Sequence, residues 1–343
     1  MSNVRWPLAI SVAKRFAGTY PLAGTYHETR FARQAPELVA RAGEMVEAET
    51  GLRGPGQPDV AVVSREEWIE ANLASMAVLA EPLEERLESQ SGFGPRIAGS
   101  VMGAEIGAVM GFLAKRVLGQ YELVLPSEER GFGDTVMFVG ANVLWMERQF
   151  EFRPDEFRFW VALHECTHRL QFVGVPWLRD YFMSLVKDLV GSTQPEPGRV
   201  RRITSEARAA AAEGRPIVDE RGLFGLFATP DQVAVVDRVQ ALMSLLEGHG
   251  HVVMDRIGAR ELVGQARMSA MLKARRQDPR TAGLFRLIGL EMKMRQYDLG
   301  ARFIDGVEEL AGWEAVSHAW TSPDHLPTLA EIEDPRAWLT RVA

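Results

Sequence analysis

The sequence predicts a mainly α, α+β protein: a helical body that carries one small β-sheet. Three observations predict it. Apolar residues recur at spacings of three and four through most of the 343 residues. Only three short runs, residues 59–64, 121–126 and 135–140, are rich in β-branched and aromatic side chains and bounded by Gly, Pro or Asp. Finally, the stretch FRFWVALHECTHRLQFVG, residues 157–174, lies inside a helix whose two ends can both be read.

Residues 28–52 carry apolar positions at helical spacing and stop near Gly51. Residue 59 opens the first strand candidate. Ser64 then offers an N-cap, and Glu67 three residues on completes a capping box for a helix to about residue 88. Residues 97–114 form a helix striped by Gly99, Gly103, Gly107 and Gly111. Small residues at every fourth position let two helix backbones come close, in a membrane or in a soluble core. The mid-span charge Glu105 and the flanking Arg96, Lys115 and Arg116 favour the packed core. A helix over residues 154–173 follows the last two strands. Pro154 suits its first turn, Asp155 and Glu156 suit its positive end, and Gly174 with Pro176 beyond marks its stop. Residues 191–202, GSTQPEPGRVRR, are the best linker candidate, with helices of similar character on both sides. Residues 229–258 read as a second long helix, apolar on several faces and so deeply buried. Residues 280–320 are again helical, and the tail is a turn-rich strap ending in a short helix. The whole chain, 1–343, reads as one domain.

Bulk properties narrow the function. A hydrophobic share of 46% and a charged share of 25% describe an ordinary globular chain and exclude a disordered or fibrous one. The net charge of -7 argues against a nucleic-acid partner, which calls for a basic stripe or patch. One cysteine, Cys166, permits no internal disulfide and fits a reducing, cytoplasmic setting. The first ten residues lack the apolar core of a secretory signal. No membrane contact is expected, and the sequence is silent on oligomeric state.

The chemistry sits in LHECTHRL. His164 and His168 are one helical turn apart on one face, so two neutral imidazoles can reach one Zn²⁺. Glu165 stands beside the first of them, placed to take a proton from water that the metal activates and to hand it to a leaving amine. Cys166 turns off that face and reads as a small packed side chain. The extended motif HExxHxxGxxH is absent, since Gln171 and Gly174 stand where it has its glycine and third histidine. A catalytic zinc usually takes three protein ligands, so the third must be distant. Glu247 in LMSLLEGHGHVVMD is the leading candidate, a lone carboxylate in an apolar run. His251, four residues on and on the same face, is the alternative third ligand, and His249 ranks behind it as a substrate or outer-shell residue. Asp255 is a candidate to orient a zinc-bound histidine through its other nitrogen. Gly248 and Gly250 each cost about 1 kcal/mol in a helix interior, which is tolerated where another backbone, here the HExxH helix, comes close. Lys293, Arg295 and Tyr297 are candidates to stabilise an oxyanion, against an ordinary surface role. His318 and His325 fit a turn.

These residues resemble a known family. Val161, Ala162, Cys166, Thr167 and Leu170 fit the zincin pattern around HExxH, and Arg169 departs from it where an uncharged residue is usual. The stretches FRFWVALHECTHRLQFVGVPWLRDYF, VLGQY, LMSLLEGHGHVVMD and LPTLAEIEDPRAWLTRV look like those of a bacterial family of zincin-like proposed metallopeptidases, found chiefly in genomes that make the deazaflavin redox coenzyme. The resemblance runs from YPLAGTYHETR to the tail. It implies a zincin-like helical body, the HExxH helix packed against the long buried helix with the third ligand, and a zinc hydrolase acting on peptide or amide bonds. No flavin or nucleotide motif supports a direct role for the coenzyme. The rival expectation is a non-catalytic metal-binding or partner-binding protein that retains the scaffold.

Overall fold

The computed structural model describes residues 4–88, 95–122, 134–191, 230–276 and 291–343. The first part runs α1 (Trp6–Ala17), α2 (Tyr26–Thr50), β1 (Asp59–Val63), α3 (Arg65–Glu88), α4 (Pro95–Leu113), β2 (Gly119–Glu122), β3 (Thr135–Val139), α5 (Gly140–Phe150) and α6 (Pro154–Gly174). Then come α7 (Leu178–Gly191), α8 (Pro230–Glu261), α9 (Gln265–Arg276) and α10 (Glu291–Ala311). Two 3₁₀ turns, Trp313–Trp320 and Pro323–His325, precede α11 (Leu329–Glu333) and α12 (Pro335–Val342). The mainly α architecture with a small sheet is therefore observed. The linker candidate lies outside the described residues beyond Gly191, as do residues 280–290 of the C-terminal helical stretch.

Contacts gather the chain into two compact units, Met1–Arg179 with His249–Lys273, and Asp180–Gly248 with Ala274–Ala343. The division passes through α8, which is one unbroken helix.

In the first unit, α2 presents Phe31, Ala35, Val39, Ala42 and Val46 as a continuous buried stripe. That stripe packs on α6, whose Phe157, Phe159, Trp160 and Leu163 are fully buried. The sheet has the order β1-β3-β2. β3 is central and wholly buried, parallel to β1 with Asp59 opposite Thr135 and antiparallel to β2 with Tyr121 opposite Val136. Ser64 and Glu67 form the expected capping box, with Glu67 N donating to Ser64 Oγ at 3.1 Å and Ser64 N donating to Glu67 Oε2 at 2.7 Å. Gly51, at φ 71°, ends α2 in the left-handed conformation that glycine adopts without strain.

The glycine stripe of α4 is used against α1. A Cβ on Gly103, Gly107 or Gly111 would come within 2.8, 2.4 and 2.5 Å of the carbonyl oxygens of Arg5, Ala9 and Ala13. Ala9, Ala13 and Ala17 supply the matching small face of α1, and Glu105 is exposed. Among the described residues no helix is long and apolar enough to cross a membrane.

Several boundaries differ from expectation. α1, α5 and α9 are helices that the periodicity reading does not contain, and α7 enters it only as the helix before the linker, without bounds. The second strand is Gly119–Glu122, with the rest of residues 121–126 outside the described residues. α6 continues through Gly174, which is not in a left-handed conformation but lies against Arg53, whose backbone oxygen would be 3.0 Å from a Cβ. Its glycine thus serves close approach. α8 likewise runs past Gly258, which leaves room for the Trp160 ring. The C-terminal helical stretch breaks at Gly312, at φ 85°.

In the second unit, α10 buries Phe303, whose ring lies 5.2 Å from that of Trp338 on α12. Trp338 Nε1 donates to His325 O at 2.8 Å. A complete capping box, Thr328 with Glu331, starts α11. Gly248 on α8 and Gly300 on α10 meet so closely that a Cβ on Gly248 would stand 2.2 Å from the Gly300 carbonyl carbon.

Candidate metal centre

α6 places His164 and His168 because its register is fixed on the opposite side. Cys166, two residues from each, points into α2 with Sγ 3.5 Å from Val39 O. Burial, with the Glu165 carboxylate adding to it, pushes the Cys166 thiol up to about 12, so it stays a neutral packed group. Arg169, the departure from the zincin pattern, is held by structure. It is 4% exposed and donates to both Asp134 carboxylate oxygens, at 2.6 and 2.7 Å, and to the backbone oxygens of Pro55 and Gly56. It thus ties α6 to the segments that lead into β1 and β3.

With those two residues turned away, His164 and His168 share the remaining face, half-buried, with Nε2 atoms 3.1 Å apart. Two ligands of one tetrahedral zinc, each at 2.0–2.1 Å, stand about 3.3 Å from one another. The pair is therefore spaced as the metal needs. The ligand atoms of His164, His168 and Glu247 all lie within 4.8 Å of one another. Glu247 is 6% exposed, in a helical run with Leu245 and Leu246 fully or almost fully buried. A carboxylate in that setting gains most from a cation. His251 is also buried but is not part of this group.

The two α8 glycines serve different neighbours. A Cβ on Gly250 would stand 3.2 Å from His164 Cε1 and 3.3 Å from His168 Cε1, so its absence leaves room for both imidazoles. Gly248 faces Gly300 of α10 and not the HExxH helix, because that is where two backbones meet.

Glu165 is 5% exposed and lies against β2. A Cβ on Gly119 would stand 2.7 Å from both Glu165 Cγ and Oε1, so a glycine at the start of this edge strand is what admits the carboxylate. Tyr121, two residues on, stacks on Phe172 of α6 at 6.4 Å, and burial raises its hydroxyl pKa.

Outside the ligand group, Asp255 accepts from Gln265 Nε2 at 2.8 Å and from Ser269 Oγ at 3.0 Å, the contacts of a brace between α8 and α9. His249 is almost fully buried and contacts Gln171, and burial, with His168 adding to it, pushes its pKa down to about 3. Tyr297, Lys293 and Arg295 are on α10, with side chains outside the described residues. His325 Nδ1 lies 3.1 Å from His318 O in the turn. Sequence reasoning missed two residues. Gly119 gives no signal short of knowing which strand passes Glu165. Gln171 was visible as a polar residue one turn beyond His168, on the same helical face.

Two helix-borne imidazoles and a buried carboxylate make a donor set that could hold a zinc ion. The chain belongs to the zincin-like metallopeptidase family, whose family model matches residues 4–339. It is also similar to a crystal structure from Chloroflexus aurantiacus described as a proposed hydrolase with a novel fold, at 31% identity and a TM-score of 0.74 over 98% of each chain. No curated protein matches it.

Proposed function

We propose that the protein is a zinc-dependent hydrolase, a metallopeptidase in which His164, His168 and Glu247 hold the metal and Glu165 is the general base. The observation that carries the reading is the 3.1 Å approach of the two Nε2 atoms, with a buried carboxylate within 4.8 Å and Glu165 next in the chain. Zinc supplies Lewis acidity, which acidifies water and polarises a carbonyl. Glu165 accepts the proton of the attacking water on a carboxylate oxygen as the carbon–oxygen bond forms. It then delivers that proton to the amide nitrogen as the carbon–nitrogen bond breaks. The low exposure of Glu165 and its contact with β2 hold the base in one place and limit competing water.

The test is Glu165→Gln, which keeps the shape and the hydrogen-bonding reach but not the basicity. Zinc content stays stoichiometric, and cleavage of a peptide library or small amide set falls by 10² or more. A variant that hydrolyses a confirmed substrate at the wild-type rate removes Glu165 from the mechanism.

A further inference from the structure

We infer that Gln171 and His249 form a positioning relay that holds His168 in the tautomer with its proton on Nδ1, leaving Nε2 as the ligand atom. The inference rests on the metal-centre reading above. His168 Nε2 faces His164 Nε2 at 3.1 Å, so the ligand edge of the ring is Nε2. On the other edge, His168 Nδ1 stands 2.9 Å from Gln171 Oε1. An amide oxygen only accepts, so Nδ1 must carry the proton. Gln171 Nε2 stands 3.0 Å from His249 Nδ1, and an amide nitrogen only donates, so His249 Nδ1 accepts. The protons shared in these two contacts therefore point away from the ligand edge.

Burial makes the arrangement binding. Gln171 is 0% and His249 1% exposed, so bulk water does not replace either contact. A glutamine alone is ambivalent. Turned over, its amide would offer NH₂ to His168 Nδ1, and His168 would carry its proton on Nε2, where it blocks the metal. His249, as acceptor for the NH₂ end, holds the amide with its oxygen toward His168. Histidines that bind metals commonly donate their second nitrogen to such a partner, and loss of the partner lowers metal affinity about 10–100-fold. Here the partner is an amide whose direction is set by a third residue.

The roles predict a pattern that packing alone does not. Zn²⁺ affinity of the full chain is measured by competition with a chromogenic chelator, with thermal unfolding of each apo form as the control for folding. Gln171→Met weakens binding about 10–100-fold, and His249→Leu, which frees the amide to turn, about tenfold. Gln171→Glu accepts with either oxygen, so the double variant Gln171→Glu/His249→Leu returns to within about threefold of wild type. Wild-type affinity in Gln171→Met or His249→Leu overturns the relay. So does a double variant that is folded yet as weak as His249→Leu, because His249 then acts by packing. If Gln171→Met fails to fold, the other three proteins decide. Failure of the underlying reading looks different: wild type and His164→Ala would then bind Zn²⁺ equally.

Discussion

Gly300→Ala joins the packing of α8 to the candidate metal centre through one methyl group. A Cβ on Gly300 would stand 1.8 Å from Ser244 O and 3.0 Å from Gly248 Cα. Non-bonded carbon–oxygen contacts in proteins close at about 3.3 Å, so the two helices must part locally by roughly 1.5 Å. The obstacle is a backbone carbonyl and not the end of a flexible side chain, so no rotamer change relieves it. Overpacking of this kind costs about 1–3 kcal/mol, and a clash with backbone falls at the upper end. Glu247 shares the helical turn bounded by Ser244 and Gly248. Site geometry tolerates shifts of about 0.5 Å, so Zn²⁺ affinity should fall at least about tenfold. The assays are urea unfolding of the apo protein and chelator competition for zinc. Gly43→Ala is the matched control. Gly43 is inside α2 with nothing within 4 Å of a Cβ, and alanine there stabilises a helix by about 0.5–1 kcal/mol without touching the centre. A Gly300→Ala protein as stable as wild type refutes the backbone contact.

Gly119→Ala puts its Cβ 2.7 Å from Glu165 Cγ and Oε1, against the 3.4 Å or more of ordinary contact. With Glu165 as the proposed base, moving it by up to about 1 Å should cost on the order of 10²-fold in kcat/KM with zinc content unchanged; an unchanged kcat/KM would contradict the assigned approach. At the C-terminal end, the Arg341 guanidinium, helped by Thr328, holds the Glu331 carboxyl down to about 2 against an ordinary 4.5. Its folded pKa is the lower one, so this contribution to stability is present above about pH 4.5 and is lost as pH falls toward 2. Arg341→Met should move Glu331 back toward 4.5 in a carboxyl NMR titration and flatten that part of the pH–stability curve; a Glu331 that still titrates near 2 contradicts the pairing.

The sequence carries some of this architecture openly. The start of α6 at Pro154 and the helical spacing of His164 and His168 are local features, written close together in the chain. Glu247 is legible at a distance because a lone carboxylate in an apolar run needs a partner. The α4 glycines announce a close helix contact, but not that α1 supplies it. Which backbone meets Gly248, which strand passes Glu165, and what Gln171 touches are pairings between segments far apart in the chain. Periodicity reports which face is buried, not against what. Asp255 shows the converse. It has the right chemistry and a plausible spacing, yet it is bound to Gln265 and Ser269 across the α8–α9 turn. The boundary shifts at Gly174 and Gly258 have one cause: a glycine that admits a neighbour looks, in sequence, like one that ends a helix.

His164, His168 and Glu247 are proposed to hold one zinc ion together. Metal content by mass spectrometry after equilibration with Zn²⁺, measured for wild type, Glu247→Ala and His251→Ala, tests it most directly. Wild type and His251→Ala should each carry one zinc per chain, and Glu247→Ala should lose stoichiometric zinc with the apo fold intact. Retention of full zinc in Glu247→Ala, with loss in His251→Ala, would contradict it.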